Sequence, residues 1–186
     1  MAILLPDDVR ASLATGIERL GPRARGVAWV VPENLHLTLK FLGSVEPLRL
    51  EQVADALQAT AAAAAPFALA VRGLGAFPSP ARPRVIWAGI HTGGATMAAL
   101  ASRVDDALGP LDVPREERPF SAHVTLGRVR EPRRDPALAE ALAGGAEKDF
   151  GHFRVERMTL MRSDLSPRGA RYATLAAWSL GRSGRG

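Results

Sequence analysis

The segment Asn34-Leu35-His36-Leu37-Thr38-Leu39-Lys40-Phe41 returns later in the chain as Ser121-Ala122-His123-Val124-Thr125-Leu126-Gly127-Arg128. Four His, eight Thr and 23 Leu are spread over 186 residues. Two of four histidines carrying Thr at +2 and Leu at +3 by chance has odds on the order of 10⁻⁴. Each copy lies in a half that reads strand, helix, strand. The simplest fold for such a chain is a pair of pseudo-equivalent lobes, each presenting one histidine strand.

The elements around the repeat fit this. Strands are expected at Ala2–Leu5, Val27–Val31, Asn34–Leu42, Phe67–Leu74, Arg84–Ile90, Phe120–Val129, His152–Met161 and Tyr172–Leu180. Helices are expected after Pro6, from Pro47 to Ala64, from Gly93-Gly94 to Leu108, and near Pro136–Leu142. Phe77–Pro83 reads as a proline-rich loop, Ser166-Pro167-Arg168-Gly169 as a turn, and Gly181–Gly186 as a loose tail. Several strand pairs are close enough in sequence to be antiparallel. The fold class is therefore α+β and not a doubly wound parallel sheet, with residues 1–180 as one bilobal domain.

Composition narrows the chemistry. No cysteine is present, which removes disulfides, thiolate nucleophiles and Cys-ligated metal centres, and fits a reducing cytoplasm. The start, Met-Ala-Ile-Leu-Leu-Pro-Asp-Asp, has no basic segment before its short apolar run and is not a signal peptide. The alanine-rich stretch Val53–Val71 is broken by Asp55, Gln58 and Pro66, so no membrane span is expected. The net charge of +5 arises after residue 114, where 14 basic groups face 9 acidic ones. All but Lys40 and Lys148 of the basic residues are Arg, whose planar fork suits phosphate. Compositional bias explains the arginine count equally well; the asymmetry points to a phosphate-bearing partner.

In a strand, residues i and i+2 share a face. Each copy therefore presents an imidazole beside a hydroxyl. Two such strands about a pseudo-two-fold axis give a cleft with His36, Thr38, His123 and Thr125. One imidazole can act as general base and the other, protonated, as general acid, since a pKa near 6.5 supports both forms. The threonine hydroxyls can donate to phosphoryl oxygens. A metal site is not expected: neither copy has a second His at ligand spacing, and no Asp or Glu lies within four residues of His123. His91 and His152 lack the Thr partner and read as surface residues. Gly73-Leu74-Gly75 is not completed to a dinucleotide fingerprint.

Pro32–Gly43 together with Pro119–Arg128 resembles the paired signature of the two-histidine (2H) phosphoesterases, within them most nearly the LigT-like RNA 2′,3′-cyclic phosphodiesterases. The resemblance runs from Ile3 to Leu180 and includes the Trp29 strand and the closing Met161-Arg162-Ser163, Tyr172 and Trp178 pattern. It implies a bilobal α+β fold, two antiparallel sheets around a V-shaped cleft, and helices outside. It further implies metal-free, cofactor-free hydrolysis of an RNA 2′,3′-cyclic phosphate to a 2′-phosphate. Reversible 2′–5′ ligation of tRNA halves accompanies this in some members. By the resemblance, His36 protonates the departing O3′, His123 activates water, and Thr38 and Thr125 hold the phosphoryl oxygens. The two +5 positions, Phe41 and Arg128, would lie near base and phosphate, with Arg130 as an alternative to Arg128. Strict alternation turns +5 away from the histidine, so a bulge or a strand end is needed for these residues to reach the cleft. Phe41 reads equally as core.

The expected partner is RNA with a cyclic phosphate end, handled by a cytoplasmic monomer. Two alternatives remain at this point: an RNA-end-binding module without turnover, and a 2H enzyme acting on a small cyclic phosphate.

Overall fold

The computed structural model describes residues 1–166 and 169–181. Its strands are β1 (Ala2–Leu4), β2 (Val27–Trp29), β3 (His36–Thr38), β4 (Phe67–Phe77), β5 (Val85–Thr92), β6 (His123–Val129), β7 (Asp149–Val155), β8 (Arg157–Ser166) and β9 (Gly169–Ser179). Its α-helices are α1 (Asp7–Leu20), α2 (Leu50–Ala62), α3 (Gly94–Leu108) and α4 (Pro136–Gly144). The strands pair antiparallel along the path β7-β4-β5-β6-β3-β1-β8-β9, with β2 added beside β6. No helix among the described residues is long and apolar enough to cross a membrane.

The fold is α+β, and its two halves are four strands each: β7-β4-β5-β6 and β3-β1-β8-β9. The halves meet where one histidine strand lies beside the other. That junction has a single register pair, Leu37 opposite Val124. The expected two sheets are thus continuous, joined at that register pair between β3 and β6.

Each helix carries one apolar stripe. Val9, Leu13, Gly16 and Leu20 are buried on α1, and Met97, Leu100, Ala101, Val104 and Leu108 on α3. Asp7 and Asp8 sit in the first turn of α1, where the helix dipole favours them. Asp135 caps α4 by accepting from Leu138 N at 3.0 Å. Gly93, before α3, has φ +82°, and a Cβ there would stand 2.3 Å from Ala68 O. Only glycine fits that entry.

The packing of α1 and α3 knits the halves together. Helix α1 follows β1, yet it packs on β7 in the other half, with the Phe150 ring against Gly16. Helix α3 follows β5, yet it packs on α2, which lies on β9. One contiguous buried apolar cluster results.

The structure corrects four boundaries. The first histidine strand is expected over Asn34–Leu42 but is only His36–Thr38. Pro32–Asn34 forms a 3₁₀ turn before it, and Leu39 N and Lys40 N both bond to Met1 O after it. The strand expected at His152–Met161 is two strands broken at Glu156, with β7 ending one edge of the sheet and β8 lying in the opposite half. The alternation of Phe153 and Val155 resumes one residue out of phase at Met158 and Leu160, and a local pattern does not show that this slip is a crossing between lobes. The helix expected from Pro47 begins with a 3₁₀ turn, Pro47–Arg49. Strand β4 runs past Leu74 to Phe77 and β5 past Ile90 to Thr92, because the two pair from Phe77 opposite Val85 to Ala70 opposite Thr92. Pro167 and Arg168 of the expected turn, and residues 182–186 of the expected tail, lie outside the described residues.

Leu37 is 0% exposed at the junction of the halves. Leu37→Ala should cost about 2–5 kcal/mol of unfolding free energy, read as a lower urea midpoint with an unchanged slope.

Candidate active site

The junction pair fixes the site. Leu37 and Val124 are opposite each other and fully buried. Moving one residue outward along the antiparallel register brings His36 against Thr125 and Thr38 against His123. These four side chains share the face opposite the buried pair. The neighbouring strands hold this register: β1 pairs Leu4 with His36 and Ala2 with Thr38, and β5 pairs Gly89 with His123 and Trp87 with Thr125.

Both imidazoles are held in the same way. His36 Nδ1 lies 2.7 Å from Asn34 O, and His123 Nδ1 lies 2.7 Å from Ser121 O. A carbonyl only accepts, so each Nδ1 carries the proton and donates it. Each neutral ring then keeps its Nε2 lone pair for the cleft. The Thr38 hydroxyl donates to His36 Nε2 at 3.3 Å. Asn34, whose carbonyl orients His36, is itself tied to β9, its Nδ2 donating to Ala170 O at 2.7 Å.

Aromatic edges complete the mounting. Tyr172 meets His36 at 4.9 Å between ring centroids, and Phe77 meets His123 at 5.1 Å, both edge-on. Phe77 also packs on Trp87 at 5.3 Å. The Trp87 indole fits because Gly75 has no side chain: a Cβ there would lie 2.3 Å from the ring. Beside His123, Arg72, Leu74, Phe77, Trp87 and His91 border a cavity of about 370 Å³. This volume is in the range of small-ligand pockets. Trp87 Nε1 is buried there without a hydrogen-bond partner among the described residues.

Asn34, Phe77, Trp87 and Tyr172 are thus parts of the site that reading the motifs missed. Gly75 and Gly89 held a usable signal, since glycine inside a strand marks close approach of another group. Gly73-Leu74-Gly75 has this role in place of a phosphate loop: Gly73, at φ +83°, faces Ala146 O, and Gly75 faces Trp87.

Arg128 is exposed on β6. A register shift between Ile86 and Trp87 marks a bulge in β5–β6. Leu126 and Gly127 are consecutive buried residues, and alternation restarts after them. Arg128 is thereby returned to the histidine face. Phe41 is 69% exposed, so it is not core. Alternation fails there because β3 has already ended, and Lys40, expected on the histidine face, is 5% exposed. Its ammonium pairs with Asp105 of α3 and donates to Pro114 O at 2.6 Å. Arg130 is exposed, and its backbone N donates to Gly26 O at 2.9 Å. His91 lines the cavity, whereas His152 lies exposed on β7. Among the described residues no group of three or more His, Asp or Glu converges.

Burial pushes the pKa of His36 below its usual 6.5, against the smaller opposing pull of the Asn34 carbonyl. The neutral form is favoured in the folded chain. Its contribution to stability is therefore complete above pH 6.5 and is lost as the pH falls from there through the lowered folded value. His36→Gln should lose less stability than wild type between pH 7 and pH 5, measured as the difference in urea midpoints. Equal losses would contradict a buried neutral ring.

The sequence model of the LigT like Phosphoesterase family matches residues 3–87 and 91–172. A relative from Archaeoglobus fulgidus, named RNA 2′,3′-cyclic phosphodiesterase, is 34% identical over 94% of this chain and 96% of its own. One of the same name from Thermus thermophilus is 35% identical over 99% of this chain and 91% of its own. A solved structure, also from Thermus thermophilus, superposes with a TM-score of 0.81 at 33% identity, covering 97% of this chain and 96% of that one. E. coli LigT complexed with 3′-AMP superposes with a TM-score of 0.78 at 25% identity, covering 97% and 96%. By sequence and by fold, this chain belongs to the LigT-like phosphoesterase family.

Proposed function

We propose that the protein hydrolyses RNA 2′,3′-cyclic phosphate ends to 2′-phosphates by paired-histidine acid–base catalysis. The observation carrying this is the juxtaposition of two His-Thr pairs across one antiparallel junction, each imidazole held through Nδ1 with its Nε2 left as the acceptor. The names of the relatives supply the substrate class.

The chemistry needs two proton transfers. His123 Nε2 takes a proton from water as its oxygen bonds to phosphorus. The P–O3′ bond breaks, and His36 gives its Nε2 proton to O3′. The products are a 2′-phosphate and a 3′-hydroxyl. His123 ends protonated and His36 neutral, and exchange with solvent restores both. Thr38 and Thr125 donate to the non-bridging oxygens, where charge accumulates. His36 is neutral in the free enzyme. The anionic phosphodiester beside it favours the imidazolium, so substrate brings the acid into its working state. The same steps with a ribose 5′-hydroxyl in place of water give 2′–5′ ligation of RNA ends such as tRNA halves, and their reversal cleaves that linkage.

Arg128 and Phe41 flank the reacting nucleotide at the two ends of the junction, and Arg130 follows on the same strand. A guanidinium plane and an exposed ring both stack on bases without selecting among them. Residues 1–180 act as one unit, a monomer working without metal in the cytoplasm.

The test is turnover of an oligoribonucleotide ending in 2′,3′-cyclic phosphate, in excess EDTA, with the product read by phosphorus NMR. Wild type should form the 2′-phosphate. His36→Ala and His123→Ala should each lose about 10²–10⁴-fold in kcat/KM, and Thr38→Val or Thr125→Val about 10²-fold. Binding without turnover in wild type would instead establish an end-binding module, and activity only on small cyclic phosphates would move the substrate class.

The pH profile should be bell-shaped, with two apparent pKa values belonging to the pair. The lower value in kcat/KM should lie below 6.5, and it should rise in the kcat profile, which reports the bound enzyme. A single ionisation would contradict the paired roles.

A further inference from the structure

Three backbone segments carrying eight arginines meet at the end of β6 remote from His123. Arg23 and Arg25 precede β2, Arg82 and Arg84 precede β5, and Arg128, Arg130, Arg133 and Arg134 end β6 and follow it. Backbone hydrogen bonds place the segments side by side: Arg130 N donates to Gly26 O and Val129 N to Arg84 O, both at 2.9 Å. Arg128 is in register with Ala28 on one side and Val85 on the other. The 3₁₀ turn ending at Arg23 packs on α4, the helix after Arg134.

All eight are exposed. Among the described residues none has a carboxylate within 4.0 Å, whereas Arg10, Arg49, Arg72, Arg115, Arg154 and Arg162 do. The three segments hold only two acidic residues, Glu131 and Asp135, and Asp135 is engaged in capping α4. The local excess therefore exceeds the +5 of the whole chain. Of the eleven other described arginines six are paired and Arg19, Arg103, Arg118, Arg157 and Arg171 are not, so what compositional bias does not explain is the meeting of eight unpaired arginines at one place.

We propose that this surface is the track for the body of the RNA, holding through its phosphates the nucleotides that lead away from the end bound in the cleft. At about 3.3 Å per strand residue, β6 carries a chain from Thr125 to Arg130 over roughly 16 Å. Arg82, Arg133 and Arg134 lie beyond the reacting nucleotide and contact the polymer alone. Guanidinium forks suit this, since phosphate contacts position a chain without reading its sequence. The inference rests on the cleft being an RNA-end site, and it adds that the enzyme distinguishes polymer from mononucleotide.

The experiment compares wild type with Arg82→Ala/Arg133→Ala/Arg134→Ala on two substrates: a 12-mer ending in 2′,3′-cyclic phosphate and a nucleoside 2′,3′-cyclic phosphate. The triple variant should raise KM for the 12-mer about tenfold or more. The log–log salt slope of its binding should fall in magnitude by about 2, at 0.7 per lost single-strand contact. Kinetics on the nucleoside substrate should be unchanged. Arg10→Ala/Arg49→Ala/Arg115→Ala removes the same charge from ion-paired positions and should leave KM and slope as in wild type. Equal effects of the two triple variants, no effect of the first, or a parallel loss on both substrates would overturn the proposal. If wild type turned over neither substrate, the catalytic reading would fall by itself. Anisotropy of the labelled 12-mer would then still decide, a wild-type salt slope retained by the first variant being the contrary result.

Discussion

The site depends on one contact, the burial of Leu37 against Val124 where two strands from different halves meet antiparallel. Apolar side chains on one face of a strand commit its alternate residues to the other face. Because the pairing is antiparallel, the His and Thr flanking each apolar residue are brought beside the Thr and His of the other strand. A slip of one residue would turn the whole set inward, so the buried pair sets the placement of the two His-Thr pairs as well as joining the halves. The crossed packing of α1 and α3 keeps the halves from separating at that contact.

Around this junction the surroundings remove freedom from the imidazoles. The carbonyl two residues earlier fixes the tautomer in both copies, an arrangement the repeat produces twice because Asn34 and Ser121 occupy equivalent places. Tyr172 and Phe77 limit ring rotation from outside each motif. Lys40 and Asp105 form a buried ion pair joining the end of the first motif to α3, and Lys40 also holds Pro114, which leads toward the second. Such a pair contributes little net stability after desolvation, and removing either partner leaves a stranded charge. Its effect here is to fix the separation of the two motifs. The bulge in β6 does the corresponding work for Arg128, because an odd offset along a regular strand would direct that side chain into the core.

The repeat made the architecture legible, since two copies of a motif carrying the same chemistry imply two related halves and a face for each. The apolar stripes of α1 to α3, and the glycines that close α1 and α3, were legible for the same reason, periodicity being a local property. What lay beyond the sequence was non-local. The break at Glu156 leaves only a one-residue slip between the alternation of Phe153 and Val155 and that of Met158 and Leu160, and the sheet order shows that the two sides belong to opposite halves. Lys40 reads as a solvated strand residue until Asp105 is brought to it. Trp87 and Tyr172 enter the site through pairing of distant strands, which no spacing rule encodes. The arginines show the same thing: along the chain they look like an excess toward the C-terminus, while the fold gathers two of the segments from the first half.

The central claim is that the junction presents two equivalent imidazoles, both Nδ1-protonated, to one ligand. Long-range ¹H–¹⁵N correlation spectra of the ring nitrogens test it directly, recorded near neutral pH with and without a nucleoside 2′-monophosphate. His36 and His123 should both show the Nδ1–H tautomer in the free protein, and both Nε2 resonances should move together as the phosphate is added. An Nε2–H tautomer at either ring, or a response at one histidine alone, would contradict the account.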